Sequence, residues 1–240
     1  MIENKKTVSI PDWFKLWLPA GILTAVISGA YTWDHVHSMQ SEVVYFIQGC
    51  IFIAAADFAL LKAGIKVSPA SPAADLAGDI KLALKYFLVC LLGVSSVLLL
   101  IALVCVILVK SGFITLDVFY RYMSITANGA AEKDYFSSVI ANSSFKYALY
   151  YFSAYILIPL EEEIFFRRLL YVALRKKMRF LPALLISSAF FGLVHGATGG
   201  FALLAGLFLG WVYEKKQKLA ANVIIHGLLN FSIDIVRLVL

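Results

Sequence analysis

Charged residues are scarce in this chain of 240 residues: they make up 15% of the sequence, whereas apolar residues make up 61%. A soluble domain has about 25% charged and about 45–50% apolar residues. The shortage of charge, together with a mean hydropathy of +0.85, excludes both a disordered chain and an ordinary water-soluble domain. The excess apolar surface must therefore be buried against lipid.

Cysteine is also rare, with three residues that all lie inside apolar runs, and this excludes a disulfide-stapled secreted domain. We predict that Cys50, Cys90 and Cys105 are small core hydrophobes. The formal net charge is +6, but the basic residues form short clusters between apolar runs rather than one basic face. Such clusters are typical of topology signals in membrane proteins, so no nucleic-acid partner is expected.

Long apolar runs are what the sequence has instead. A helix needs about 20 apolar residues to cross a bilayer, and this length predicts an all-α polytopic transmembrane helical bundle of about seven spans. Trp13 and Trp33 bracket the first run and predict an interfacial belt around a retained anchor. The predicted spans are 14–33, 43–61, 82–109, 147–172, 181–196, 199–213 and 219–239.

The loop charges predict how the chain is oriented in the membrane. With a cytoplasmic N-terminus, sixteen lysines and arginines fall in or next to inside segments and five in outside segments. The positive-inside rule therefore predicts an N-in, C-out, multi-pass protein of the cell membrane. We divide the chain into N-terminal transmembrane helices with a long outer loop, 1–144, and a membrane core, 145–240, that holds the embedded polar groups.

Three polar groups fall inside predicted spans of the second half, where ionisable residues are costly and need a partner or a purpose. The first is a run of three glutamates followed by an arginine, in which Glu163 and Arg167 are four residues apart and predicted to pair. The second places a histidine one turn after a phenylalanine, and the third is a polar stripe along one helix. The residues are Glu161, Glu162, Glu163, Arg167, Phe191, His195, His226, Asn230 and Asp234.

Their positions along the chain predict that the three groups meet at one depth. Glu162 and His195 lie equally far from position 178.5, inside a basic, proline-containing turn. An antiparallel hairpin turning there carries both side chains to the same level, and it requires the fourth helix to continue past Arg167. The next hairpin brings His226 and Asn230 to a similar level. Pro159 predicts a kink just before the glutamates.

A carboxylate, two imidazoles and a carboxamide in a site of low dielectric constant are suited to hydrolysing an amide. We predict that Glu162 is the general base on a water molecule that His195 helps to position. His226 and Asn230 would stabilise the oxyanion of the tetrahedral intermediate. Glu163, paired with Arg167, would support the helix, whereas Glu161 is predicted to be a solvated or interfacial neighbour.

Signatures of other intramembrane proteases are missing. The sequence has no HExxH for a metalloprotease, no GxGD with a partner aspartate, and no GxSG-type serine with a later helix histidine. Glutamate chemistry is the remaining protease type.

The three groups resemble the motifs of a known family. EEIFFR at 162–167, FGLVH at 191–195 and HGLLN at 226–230 are similar to EExxxR, FxxxH and HxxxN of the CPBP family. This family comprises CAAX prenyl proteases and bacteriocin-processing or self-immunity proteins, also called Abi. The resemblance covers about 145–235 and implies a glutamate-type intramembrane endopeptidase with the site residues given above, Phe191 among the supporting ones. One departure is Arg168, where many members have glycine.

The resemblance also implies that the partners are membrane lipid and a membrane-associated protein or peptide. Candidate substrates are C-terminal segments of lipidated proteins, peptide pheromones and bacteriocin precursors.

Two alternatives stay open from the sequence. Glu162, His195 and His226 form a set that can bind zinc and leave a position for water, although our prediction is a site without a cofactor. The chain could also be a non-enzymatic membrane scaffold, an immunity protein or a transporter that keeps the motif residues for structure.

Asp57 is predicted to contact Lys62 or Lys85, or to line a polar path. Asp234 would pair with Arg237 or orient Asn230.

Overall fold

The chain folds as helices throughout the part that a computed structural model describes, residues 6–34, 42–65, 73–115, 117, 144–196 and 199–239. These ranges contain seven helices, which confirms the all-α fold class. Each of the seven predicted spans falls on one of them. They are α1 (Ile10–Asp34), α2 (Glu42–Lys62), α3 (Ala73–Lys110), α4 (Ser144–Phe152 continuing to Val172–Arg175), α5 (Phe180–Val194), α6 (Gly199–Lys216) and α7 (Leu219–Val239).

Three of the described helices, α1 to α3, are long and apolar enough to cross a membrane. Two shorter apolar stretches, Phe180–Val194 and Leu219–Ile235, lie in α5 and α7. The number of spans and the N-in, C-out orientation stay predictions, as does the division at residue 144. Most of the long outer loop lies outside the described residues.

Helix α4 carries the first polar group and is irregular in a defined way. It alternates between α and π turns, with π segments at Ser153–Leu157 and Glu163–Tyr171 and an α segment, Ile158–Glu162, between them. The predicted kink at Pro159 thus takes the form of wide turns in a continuous helix, because proline cannot donate the hydrogen bond that an α turn requires. Glu162 ends the middle segment, so wide turns lie on both sides of it.

The N-terminal helices pack directly against the wide turns of α4. Trp13 is 1% exposed, and its ring Nε1 donates to the carbonyl oxygen of Phe165 over 2.9 Å. Thr7 Oγ1 donates to the Leu169 carbonyl at 3.0 Å, and Ser187 Oγ of α5 donates to the Phe166 carbonyl at 3.2 Å. Side chains from other segments therefore bond to carbonyl oxygens of the second π segment.

Two predictions about apolar residues are wrong. Trp13 is a core residue rather than part of an interfacial belt, because its ring fills the contact between α1 and α4; the side chain of Trp33 lies outside the described ones. The three cysteines are free but not core residues: Cys50 is exposed, and Cys90 and Cys105 are half-buried. Their helices leave broad apolar faces uncovered by protein, and lipid rather than protein surrounds such faces in a membrane.

The predicted hairpin between the first and second polar groups is confirmed. Helix α4 continues past Arg167 to Arg175, and α5 begins at Phe180. Three polar side chains tie this turn to the end of α6: Arg175 contacts Glu214 at 3.0 Å, and the Tyr171 hydroxyl donates to Glu214 at 2.6 Å. This end of the α4, α5 and α6 assembly is therefore held by a charged cluster.

Candidate active site

Glu162 lies between two histidines from two other helices. Its Oε1 is 3.5 Å from Nε2 of His195, at the end of α5, and its Oε2 is 3.5 Å from Nε2 of His226 on α7. The Glu162 side chain is 15% exposed and that of His195 is 26% exposed, so the pair is accessible from one side. The equal depth expected from the hairpin arithmetic is confirmed for these three residues.

The other ring nitrogen of each histidine faces an acceptor. His195 Nδ1 lies 2.6 Å from the carbonyl oxygen of Phe191, which can only accept, so Nδ1 carries the hydrogen and donates. His226 Nδ1 lies 3.2 Å from Oε1 of Glu163 and is held the same way by a carboxylate. Both rings are thus oriented through Nδ1, and both direct Nε2 towards Glu162.

Glu163 therefore does more than pair with Arg167, the one contact that the four-residue spacing predicted. It is fully buried, and its two oxygens serve different helices. Oε1 faces His226, whereas Oε2 lies 3.3 Å from Nε of Arg167 and 3.1 Å from Nδ2 of Asn222. Asn222 was missed in the sequence, although its position four residues before His226 puts it on the same face of α7.

Phe191 connects the second polar group with the others. The Arg167 guanidinium lies over its ring, 4.4 Å from the centroid, in cation–π geometry. The same ring is 4.5 Å from that of His195 and 5.8 Å from that of His226, measured between centroids. The predicted supporting residue thus contacts Arg167 and separates its charge from the two imidazoles.

Asn230 lies one turn beyond His226, and its Nδ2 donates to the carbonyl oxygen of Ala154 in α4 over 3.0 Å. Ala154 is five residues before Pro159, so a π turn would need an N–H at position 159 to bond to this carbonyl. Because proline has no N–H, Asn230 supplies the donor. The structure places Asn230 beside the first π segment, and the second hydrogen of its carboxamide nitrogen is not used by this bond.

Close contact between α4 and α7 at this point depends on Gly227. A Cβ built there would overlap the carbonyl oxygen of Tyr155, backbone that cannot move aside cheaply. We expect Gly227→Ala to separate the two helices and to lower the free energy of unfolding by about 1–3 kcal/mol, measured by thermal unfolding of the purified protein in detergent. Gly93→Ala on α3 is the matched control, since nothing lies within 4 Å of its Cβ position. Equal effects of the two substitutions would contradict this packing.

Glu161 differs from its sequence-based interpretation, and Asp234 has partners that the sequence did not predict. Glu161 is 3% exposed and hydrogen-bonded to Gln48 of α2, so of the two predicted placements, solvated or interfacial, the solvated one is wrong. Asp234 is also buried, and its Oδ2 accepts from the hydroxyls of Tyr155 at 2.8 Å and Tyr150 at 3.3 Å. Neither tyrosine was predicted as a partner. The side chain of Arg237 lies outside the described ones.

The sequence also left open the roles of Arg168 and Asp57 and the question of a metal. Arg168, the departure from the family motif, points away from the site and donates from Nη1 to the carbonyl oxygen of Lys6 over 2.7 Å. Asp57 is exposed on α2. In the described part of the chain, no group of three or more His, Cys, Asp or Glu side chains is arranged to hold a metal ion. Our prediction stays a site without a cofactor, and zinc bound by Glu162, His195 and His226 stays the alternative that metal analysis tests.

Comparison with known proteins agrees with the motifs. Residues 144–232 match the family model "Type II CAAX prenyl endopeptidase Rce1-like". The UPF0177 protein YxdF of Lactococcus lactis subsp. lactis (strain IL1403) is 32% identical over 78 residues, which are 31% of this chain and 42% of that protein. A protein of Bacillus subtilis (strain 168) named "Putative membrane peptidase YdiL" is 32% identical over 82 residues, 33% of this chain and 34% of the relative.

These matches therefore span less than half of either relative's length. No solved structure matches. The family model covers all three motifs, helices α4 to α6, and α7 as far as residue 232. The CPBP resemblance of the motifs is thereby confirmed, and residues 144–232 are similar to the Rce1-like family of type II CAAX prenyl endopeptidases.

Proposed function

We propose that this protein is an intramembrane endopeptidase of the glutamate type, which hydrolyses a peptide bond of a membrane-associated protein or peptide. The observation that carries the proposal is the placement of the Glu162 carboxylate, with one oxygen 3.5 Å from Nε2 of each histidine. The Rce1-like match and the membrane peptidase relative support the reaction class.

Water activation uses Glu162 and His195. With its hydrogen on Nδ1, bonded to Phe191, neutral His195 has a lone pair on Nε2 that can accept a hydrogen bond from water. The second hydrogen of that water then points to the Glu162 carboxylate, which removes it as the oxygen attacks the substrate carbonyl carbon. As the C–N bond breaks, Glu162 returns the proton to the leaving amine nitrogen.

Oxyanion stabilisation uses His226 and Asn230. In this scheme the ring of His226 carries a hydrogen on each nitrogen, and Nδ1–H donates to the Glu163 carboxylate. Nε2–H can then donate to the developing negative charge. Asn230 offers the second hydrogen of its carboxamide nitrogen, with the first fixed on Ala154. Glu163 and Arg167 are positioning groups in this scheme, because they contact ring and helix rather than substrate.

Two substrate classes are candidates. The family model that matches is named for a CAAX prenyl endopeptidase, so a prenylated C-terminal segment is one candidate. Peptides that insert from the membrane without a prenyl group are the other, because the apolar helix faces around the core allow a lateral approach. Lipid is the partner in both cases, and the protein is proposed to span the cell membrane several times.

A comparison of membrane-associated peptides from cells tests mechanism and substrate together. Cells producing the wild type should contain cleavage products that are absent with Glu162→Ala, and mass spectrometry of the peptides reads out the scissile bond. Asp57→Asn is a matched control, because it removes an exposed carboxylate on α2 and should leave the products unchanged. A cellular phenotype that persists with Glu162→Ala, without any wild-type-specific products, would favour the scaffold instead.

Metal removal separates the glutamate type from the zinc alternative. We expect the purified protein to retain cleavage of a farnesylated peptide ending in a CAAX sequence after dialysis against a chelator. The reason is that Nε2 of each histidine faces Glu162 while Nδ1 is held by an acceptor, an arrangement that can activate water by itself. Stoichiometric zinc, measured by elemental analysis and lost together with activity, would overturn the glutamate type while leaving the proteolytic function intact.

A further inference from the structure

Asn222 is a buried polar residue that no motif includes. It lies on α7 four residues before His226, and none of its surface is exposed. Its Nδ2 donates to Oε2 of Glu163 at 3.1 Å and to the carbonyl oxygen of Leu209 in α6 at 2.9 Å. We propose that Asn222 is a positioning residue of the active site, which holds the Glu163 carboxylate against Nδ1 of His226. This inference rests on the proposed function for its kinetic part only.

The two acceptors determine which group the position requires. A carboxylate oxygen and a backbone carbonyl oxygen both need a donor, and a carboxamide nitrogen supplies one hydrogen to each. Aspartate has the same shape but would bring a second carboxylate against Glu163, and leucine has similar volume but no donor. The carboxamide nitrogen of Asn222 is therefore matched to these two acceptors, whereas its Oδ1 has no hydrogen-bond partner among the described residues.

Arg167 does not replace this bond. Its Nε lies 3.3 Å from the same oxygen of Glu163, but the contact lacks hydrogen-bond alignment, and none of the three guanidinium nitrogens has a hydrogen-bond partner among the described residues. Among those residues Asn222 is thus the aligned donor on Oε2. With this donor removed, attraction to Arg167 alone acts on Oε2, and rotation of the carboxylate withdraws Oε1 from His226.

The position on α7 couples this contact to the reaction. Asn222, His226 and Asn230 follow one another at four-residue spacing, so all three side chains project from one face towards α4. Asn222 fixes the orientation of the Glu163 carboxylate, and this carboxylate fixes the orientation of the His226 ring. The ring then places its Nε2 beside Glu162. A change at Asn222 should therefore alter the transition state without altering ground-state binding of the substrate.

The first test is spectroscopic and needs no substrate. The chain has four histidines, so the ring N–H signals of a protein labelled with ¹⁵N-histidine can be assigned with His226→Gln. The wild type should show a downfield, slowly exchanging Nδ1–H signal from His226, because this hydrogen is bonded to a buried carboxylate. Asn222→Leu and Asn222→Ala should lose this signal or move it upfield. Ser187→Ala, which removes a buried hydrogen bond to Phe166, should leave it unchanged.

The second test is kinetic and uses the farnesylated CAAX-terminated peptide in detergent micelles. Asn222→Leu should lower kcat by about 10–100-fold and leave KM within about twofold, because a small displacement of a reacting group can cost up to about 10²-fold in rate. Asn222→Ser, which keeps one donor, should lose less. Rates are expressed per folded protein, so a purely structural role of Asn222 predicts an unchanged kcat.

The outcomes separate this inference from the proposed function. A wild type that cleaves nothing would overturn the proposed function. The Nδ1–H signal of His226 would still test whether Asn222 positions Glu163. A folded donor-less variant that keeps both the His226 signal and kcat overturns the inference. If neither donor-less variant folds, the wild type labelled with ¹⁵N-asparagine decides. Both carboxamide hydrogens of Asn222 should then exchange slowly with water, and rapid exchange overturns the inference.

Discussion

Glu162→Gln should lower the rate of peptide cleavage by about 10²–10⁴-fold, the usual contribution of a general base, with the protein still folded. Glutamine keeps the size of the side chain and the acceptor oxygen that can face one histidine, but it cannot accept a proton from water at neutral pH. The rate is measured on the farnesylated CAAX-terminated peptide, with folding checked by circular dichroism. We expect the loss in kcat, because the role proposed for Glu162 is to act on the water and not on substrate binding.

A second variant makes this expectation sharper. His195→Gln should cost a comparable factor, since the same water needs both groups, and the double variant should be scarcely slower than either single one. Asp57→Asn should stay within about twofold of the wild type. Additive losses in the double variant would show that Glu162 and His195 act on separate steps, and full activity of Glu162→Gln would reject the mechanism.

Glu163→Ala should lower the free energy of unfolding by about 3–5 kcal/mol, the largest stability effect that we expect in this chain. The change leaves the guanidinium of Arg167, 1% exposed, without its opposite charge, and a buried charge without a partner is strongly destabilising. His226 loses the acceptor of its Nδ1 at the same time, and Asn222 loses one of its two acceptors. Denaturant titration of the purified protein in mixed micelles measures the loss.

Two comparison variants show whether the buried charge is the cause. Replacing both partners, as Glu163→Leu with Arg167→Met, should recover much of the lost stability but none of the activity, because apolar groups of similar size carry no desolvation penalty. Lys15→Met breaks the exposed pair with Asp12 and should have no measurable effect. A double variant no more stable than Glu163→Ala alone would mean that packing, not charge, accounts for the loss.

The sequence predicted contacts within a helix and across a short turn. Glu163 and Arg167 pair because four residues make one helical turn, and Glu162 meets His195 because the hairpin between α4 and α5 turns within residues 176–179. In such a hairpin, position along the chain converts directly into depth. The sequence alone could therefore predict that Glu162 meets His195 and that Glu163 meets Arg167.

Contacts that depend on how separate helices rotate against one another could not be predicted. Counting residues from a turn gives the depth of a side chain but not the face of α7 that meets Glu163. The contacts of Glu163 with His226 and Asn222 were therefore missed. Glu161 was predicted to be a solvated or interfacial neighbour, yet α2, which is distant in sequence, presents Gln48 to it. Trp13 likewise looked like an interfacial anchor, because its hydrogen-bond partner lies 152 residues further along the chain.

The π segments of α4 determine where this helix can lose a residue. A π segment holds one residue more than the corresponding α turns need, so deleting a residue within Glu163–Tyr171 can convert it into ordinary helix. Because the residue removed is the extra one, the helix after the segment can keep nearly the same orientation, and Arg175 can still face Glu214. A deletion in the α segment Ile158–Glu162 has no extra residue to remove and would instead rotate everything after it by about 100°. The second π segment is thus the place where the chain between Glu162 and the charged cluster can lose a residue and keep its register.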